Sequence, residues 1–410
     1  MIETVAALAL AAWVYLLFLH HRFWFAALRL PREIPDLNSW PSVIAIVPAR
    51  NEVATIAEVV DALMKQNYPG DFSVLVVDDA STDGTSEAVK TLCAQNAAKT
   101  VTKDVQNRAE NALHRADVIG APALKDGWTG KLSALNAGIE RANSTANPPD
   151  FVWFTDADVV HPPGTLAKLA AKAVQDRRDL VSLMVRLRCE SFWEKRLIPA
   201  FIYFFQMLYP FPAANDPRAK VAAAAGGCVL LRRDSLQNAG GLRSISGELI
   251  DDCALAKLIK GNGGRIWLGL AGESRSLRAA ETLVPLWAMV RRTAYTQLRH
   301  SPIMVAGTVA ALALIFLTPP ILTLTYALHQ STFAATAGGA AWAAMACSYI
   351  PTLQDYGRSR WESLLLPISA ALYAGMTVDS AVAHGRHRGG QWKGRHYGPS
   401  AAPQNLSESP

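Results

Sequence analysis

Three acidic pairs carry most of the chemistry this sequence offers; two close apolar runs and the third opens a helical pattern. Phe154-Thr155-Asp156-Ala157-Asp158 closes the run that begins at Phe151. At a strand's end the chain turns, so one carboxylate of this D-x-D can meet a ribose while the other reaches a metal. Hard oxygen ligands of this kind suit Mg²⁺ or Mn²⁺ bridging a diphosphate. Asp78 and Asp79 close the run Phe72 to Val77 and lead into Ala80-Ser81-Thr82-Asp83-Gly84-Thr85. That segment offers acceptors for base or ribose donors and a cap for the next helix. Asp251 and Asp252 open a helical pattern whose apolar stripe is Leu255, Leu258 and Ile259. There Asp252 reads either as an answer to the helix dipole or as a general base in a cleft.

Cations and glycines stand between the acids. Gly127-Trp128-Thr129-Gly130-Lys131 suits a phosphate contact, but its spacing is not that of a P-loop. A P-loop NTPase is thereby disfavoured, and the absence of G-x-G-x-x-G removes the main support for hydride chemistry. Pro48-Ala49-Arg50-Asn51-Glu52 follows another apolar run, Val43 to Val47. A strand that ends in a proline turn and leads into a helix brings backbone N–H groups and a carboxylate toward a base or ribose. Gly226-Gly227-Cys228, Arg232-Arg233 and Gly240-Gly241 form a basic, glycine-rich stretch that permits close backbone approach to an acceptor, or simply turns. His161 reads as a solvated loop histidine in preference to a further metal ligand.

These groups need a scaffold that gathers strand ends. Short β-branched runs at Val43 to Val47, Phe72 to Val77 and Phe151 to Phe154 have the form of strands buried on both faces. Helical patterns at Ala54 to Gln66 and Gly164 to Val174 alternate with them. The expectation is a parallel, doubly wound α/β sheet that binds its ligand beyond the carboxyl ends of the strands.

The 410 residues are 50% hydrophobic and only 18% charged, more apolar than a soluble enzyme needs. Ile2 to Leu19 is long enough to cross a bilayer. The basic residues that follow it, His20 to Arg32, keep its C-terminal flank in the cytoplasm. From Ser301 to Gln354 there is no Asp, Glu, Lys or Arg, enough for two spans. Ser363 to Val378 is shorter, contains Pro367 and reads as re-entrant or interfacial, since a third span would export the basic tail. Leu197 to Pro212, aromatic and uncharged, reads as an interfacial helix near the active site. The net charge of +6 sits beside the apolar segments, which favours an anionic membrane surface and not nucleic acid. Five scattered cysteines signal neither a disulfide framework nor a zinc site. The expected organisation is an anchor over residues 1–20, a linker over 21–41, a cytoplasmic catalytic domain over 42–300, membrane segments over 301–383 and a basic tail over 384–410 whose end is disordered.

In order, PARNE, VVDDASTDGT, GKLSALNAG, TDAD, the paired glycines with RR, and DD resemble the inverting GT-A-fold glycosyltransferases of family 2. With the apolar termini and the tail Gln391-Trp392-Lys393-Gly394-Arg395, the whole chain is similar to the hopanoid-biosynthesis-associated glycosyltransferases, relatives of ceramide glucosyltransferase. The resemblance implies that Pro48, Ala49, Arg50, Glu52, Asp78 and Asp79 surround the nucleoside of a nucleotide-sugar donor, a UDP-sugar. Lys131 would lie by the donor, Asp156 and Asp158 would hold donor and Mg²⁺ or Mn²⁺ with Asp158 the direct ligand, and Asp252 would be the base. The Q-x-x-R-W block typical of processive and ceramide-type members is absent, which weakens a polymer-synthase reading; its best counterpart is Arg291-Arg292-Thr293-Ala294-Tyr295, which lacks the Trp and whose arginines are candidate pyrophosphate contacts. A lipid acceptor in a bacterial inner membrane follows, with a polyprenyl-phosphate sugar transferase, a polysaccharide synthase and a silent membrane scaffold as alternatives.

Overall fold

The apolar runs become the middle of one sheet. A computed structural model of the chain describes residues 1–102, 114–386, 391–392 and 395–396; the tail beyond Arg386, read above as cytoplasmic and ending in disorder, otherwise lies outside the described residues. The chain divides into two compact units, one made of residues 29–186, 223–277 and the C-terminal end, the other of residues 1–28, 187–222 and 278–390. This division assigns residues 187–222 and the segment from Arg278 to the helical unit, whereas the sequence places both inside a catalytic domain over 42–300.

The first unit holds an eight-stranded sheet. In chain order its strands are β1 (Val43–Ala49), β2 (Phe72–Asp78), β3 (Arg115–Gly120), β4 (Phe151–Thr155), β5 (Val159–Val160), β6 (Leu180–Arg186), β7 (Cys228–Arg232) and β8 (Ile266–Ser276). Their spatial order is β3-β2-β1-β4-β7-β6-β8-β5. β1 to β4 run parallel, as the buried, β-branched runs predict. The expectation of a wholly parallel sheet fails at β7, which is antiparallel to both β4 and β6. The reversal has a local cause: after β6 the chain leaves for the helical unit and returns at Ala223, so β7 is not reached through a crossover helix.

Register brings the acids to one edge. Ala49 pairs with Asp78, Asp78 with Gly120, and Ile46 with Phe154, so the polar segments after β1, β2 and β4 emerge side by side. The helix Gly130–Asn143 begins at the same edge, with the Thr129 hydroxyl accepting from the Leu132 amide at 3.4 Å. Gly138 lets this helix lie close on the sheet, because a Cβ there would stand 2.5 Å from Ile46 Cγ2.

In the helical unit, Ile2–Leu19, Pro302–Leu324, Thr332–Asp355 and Arg360–Gly385 are each long and apolar enough to cross a membrane. The last differs from the short, broken segment expected at Ser363 to Val378. Pro367 falls in the first turn of the helix Leu366–Gly385, where its missing N–H costs no hydrogen bond, so the helix runs on for 20 residues. The apolar segment at Leu197 to Pro212 belongs to the helix Phe192–Leu208 and is packed on one side. Tyr203 Oη lies 2.7 Å from Ser348 Oγ, Tyr373 Oη donates to the Leu197 carbonyl at 2.9 Å, and the Phe204 ring meets those of Phe316 and Tyr373. Phe192 and Leu208 remain exposed. One carboxylate ties the start of this helix: buried Glu194 accepts from the amides of Glu190, Ser191 and Ala280 at 2.8, 2.8 and 2.6 Å and pairs with Arg188 at 3.1 Å. Burial opposes its ionisation, but the three N–H donors and Arg188 prevail and hold it down to about 2.

Candidate active site

A cavity of about 330 Å³ opens at the carboxyl edge of β1 and β4. Pro48, Lys131, Asp156, Gly226, Asp251 and Asp252 are among its lining residues. All six were singled out from the sequence, and the four expected to contact donor or acceptor, Pro48, Lys131, Asp156 and Asp252, are therefore brought together by the fold.

Lys131 stands in the first turn of the helix Gly130–Asn143 and bridges two elements. Its Nζ lies 2.9 Å from Asp156 Oδ1, after β4, and 3.3 Å from Asp251 Oδ2, in the first turn of the helix Asp251–Gly261. Burial works against its charge, yet Asp156, Asp251 and Asp252 outweigh it and drive the Lys131 pKa well above the ordinary lysine range. It is an ammonium at any working pH.

Asp252 is held by backbone. Its Oδ2 accepts from the Gly226 amide at 2.8 Å and its Oδ1 from the Cys253 amide at 2.7 Å. Burial, and then the neighbouring Asp251 carboxylate, push its pKa up to about 6 against the pull of Lys131 and the two amides. A carboxylate poised there is ionised at neutral pH yet basic enough to take a proton. Space at Gly226 is tight: a Cβ would come within 3.0 Å of Lys131 Nζ and 3.4 Å of Asp252 Oδ2, so the lysine tip would have to give.

Asp158, the expected metal ligand, is not among the cavity's lining residues. It is buried against β8, with Oδ2 accepting from Ser276 Oγ at 3.2 Å and its carbonyl accepting from Leu277 N at 2.7 Å. Arg50, Glu52, Asp78 and Asp79, expected around a nucleoside, lie with Ala49 in a second group at the ends of β1 and β2. Arg50 donates to the Asp79 carbonyl, and its guanidinium lies 3.8 Å from Asp79 Oδ2. Asp78 is engaged by its own turn, accepting from the Ser81 amide and hydroxyl and from Ser86 Oγ. Ala49 ends β1 and is buried; the Glu52 amide donates to Thr85 Oγ1 at 2.9 Å. Asn51 and Ala80 adopt φ of 52° and 53°, left-handed values that non-glycine residues hold only where the surroundings enforce them. The cause is visible at Asn51, whose Oδ1 accepts from the Thr82 amide and whose amide donates to Ser81 Oγ, lacing the two strand ends together.

Arg291 and Arg292 belong to the helical unit, on the helix Leu283–Gln297, where Arg291 Nε pairs with Asp379 Oδ2 at 3.3 Å. His161 corrects its expectation. It is 1% exposed, its Nε2 lies 2.8 Å from Thr155 Oγ1 and its Nδ1 2.9 Å from Ser274 Oγ, and burial pushes its pKa down to about 3 against the attraction of Asp156. It is a neutral core histidine. Sequence reasoning also passed over Asp251 as the partner of Lys131; the dipeptide itself was the only signal.

Comparison with known proteins fits this geometry. A β-monoglucosyldiacylglycerol synthase from Synechocystis is 33% identical over 108 residues, which cover 20% of this chain and 22% of that protein, so the match spans about a fifth of the relative's length. Among solved structures, a mannosyltransferase from Pyrobaculum calidifontis, in complex with GDP-Man and Mn²⁺, superimposes with a TM-score of 0.51 at 22% identity over 93% of this chain and 98% of that one. That likeness shows a mixed α/β, GT-A-like fold. The profile of the family described as "Glycosyltransferase like family 2" matches residues 41–296, more than half of the chain, and the protein belongs to that family of nucleotide-sugar transferases.

Proposed function

We propose that the protein is a membrane-bound, inverting glycosyltransferase that moves a sugar from a nucleoside diphospho-sugar, a UDP-sugar, to the hydroxyl of a lipid. The observation that carries this reading is Asp252: a partly buried carboxylate, aimed by two backbone amides, facing a cavity shared with the phosphate-competent Lys131. A lipid acceptor is supported by the four apolar helices, by exposed Phe192 and Leu208 at the two ends of their helix, and by the glycolipid product in the name of the Synechocystis relative. The sequence resemblance stated above narrows the acceptor to a hopanoid, in a bacterial inner membrane with the catalytic unit on the cytoplasmic side.

The donor set suits a divalent cation. Asp156, Asp251 and Asp252 line the cavity with Lys131 as the one cation among its described lining residues, an excess of hard, negative oxygen. Asp156, which lines the cavity, would hold Mg²⁺ or Mn²⁺, which when bound neutralises charge on a leaving diphosphate; Asp158, bonded to Ser276 outside the lining, would join it only by releasing that hydroxyl. The chain's own groups do the rest. Pro48, Ala49, Arg50, Glu52, Asp78 and Asp79 would bind the nucleoside at the laced ends of β1 and β2. Lys131 would exchange its carboxylates for the diphosphate. Asp252 would take the proton of the acceptor hydroxyl as its oxygen attacks the anomeric carbon, and one displacement inverts the configuration.

The test compares total lipid extracts by mass spectrometry from cells making the wild-type chain or Asp252→Asn at equal level. A hexose- or N-acetylhexosamine-bearing lipid present with wild type and absent with the variant is the expected result. Identical profiles would remove the lipid-acceptor reading with Asp252 as its base.

A further inference from the structure

Beneath the cavity floor a chain of buried hydrogen bonds joins three strands, and its direction can be deduced. Thr155 Oγ1 donates to the Gly227 carbonyl at 3.1 Å. A hydroxyl has one hydrogen, so at its 2.8 Å contact with His161 Nε2 the threonine must accept and the imidazole donate. The ring is neutral, so Nδ1 carries no proton and accepts from Ser274 Oγ at 2.9 Å. Only the Nε2–H tautomer satisfies every contact: Ser274 to His161, His161 to Thr155, Thr155 to Gly227. Thr155, His161 and Ser274 are each no more than 2% exposed, which makes an unpaired group at any of them costly. The ring is clamped as well, its centroid 4.8 Å from that of Trp153 and its backbone carbonyl accepting from Gln66 Nε2 at 3.3 Å.

Two linked members of this chain, Thr155 and Gly227, adjoin groups of the site. Thr155 precedes Asp156, and Gly227 follows Gly226, whose amide aims Asp252. We infer that His161, as the Nε2–H tautomer, is a positioning residue: by donating to Thr155 Oγ1 it leaves that hydroxyl's one hydrogen for the Gly227 carbonyl, and so sets how the acidic turn after β4 is held against the glycine turn that aims Asp252. It touches neither donor nor acceptor. The inference rests on the function proposed above for its catalytic meaning, but not for its structural content. Outer-sphere partners of this kind typically change activity by about 10- to 100-fold when removed, since a misplacement of about 1 Å at a reacting group can cost about 100-fold.

The experiment uses the full-length chain in lipid nanodiscs, as wild type, His161→Phe, Thr155→Val and Thr155→Ser. Imidazole ¹⁵N NMR should show a single neutral Nε2–H ring that does not titrate between about pH 5 and 9. The Gly226 amide proton, deshielded by the Asp252 carboxylate, should move upfield in His161→Phe and Thr155→Val and keep its position in Thr155→Ser. Turnover should fall by about 10- to 100-fold in the first two variants, with manganese-dependent UDP binding retained, and recover in Thr155→Ser. An Nδ1–H or protonated ring overturns the inference, as does a Gly226 amide unmoved in Thr155→Val or moved equally by Thr155→Ser. The threonine pair keeps the test decisive if His161→Phe fails to fold. A wild-type chain that transfers no sugar would defeat the proposed function alone, because the two NMR readouts decide the inference without turnover.

Discussion

The dipeptide Asp-Asp occurs twice in the catalytic unit, at 78–79 and at 251–252, and the two copies are neutralised in different ways. Asp78 is engaged by hydroxyls and an amide of its own turn, and Asp79 sits against Arg50 from the neighbouring strand. These partners shape a loop. The second pair shares one ammonium with Asp156, while Asp252 is aimed by backbone amides at the cavity. Residue type alone therefore does not mark the reacting carboxylate; the identity of its partners does. A pair engaged by its turn and by a neighbouring strand is positioned to shape a surface. A pair short of counter-charge is positioned to answer a proton or a cation.

The largest expected effect separates the two copies directly. Asp252→Asn should lose at least about 10² to 10⁴ in turnover while binding of the nucleoside diphosphate survives; near-normal turnover would erase the distinction. Next comes Lys131→Met. It removes the shared ammonium and a diphosphate contact, so donor affinity should drop and the acidic limb of the pH profile should move to higher pH. The sign follows from Asp252: burial and Asp251 raise its pKa to about 6, Lys131 lowers it, and the base works only when ionised, so activity is lost as pH falls through about 6. Asp251→Asn should move that limb the other way, toward lower pH, with turnover at neutral pH less affected. Initial rates from pH 5 to 8 check both, and limbs moving in the same direction would contradict the assigned couplings. The smallest effect belongs to the first pair: Ser86→Ala removes one acceptor bond from Asp78 and should weaken donor binding no more than a few-fold, with about 1 kcal/mol of stability lost.

The parallel core was readable because β1, β2 and β4 are buried on both faces and hence written in continuous apolar, β-branched residues. β3, Arg115–Gly120, escaped notice because it is an edge strand with alternating exposure and charged residues at 115 and 117. The antiparallel β7 follows an excursion into the other unit, which no local pattern announces. Within the site, strand-end acids were legible from spacing, whereas the alliance of Lys131 with Asp251 depends on two helix starts more than 100 residues apart in the chain. His161 misled because its segment is rich in prolines; Ser274, the partner that makes it a core residue, comes from β8 far along the sequence.

The excursion through residues 187–222 has a practical corollary for anyone trimming this protein. Deleting the apolar ends of the chain would not deliver a free catalytic unit, because the helix Phe192–Leu208 would remain, stripped of Phe316, Tyr349 and Tyr373. Its newly bared aromatic face would then favour precipitation. Glu194 would lose the Ala280 amide as well if the cut fell before that residue, leaving a buried anion short of a donor. A soluble fragment requires excising the internal loop-out together with both ends and splicing Arg186 to Ala223 through a short linker, the two points at which the chain departs and comes home.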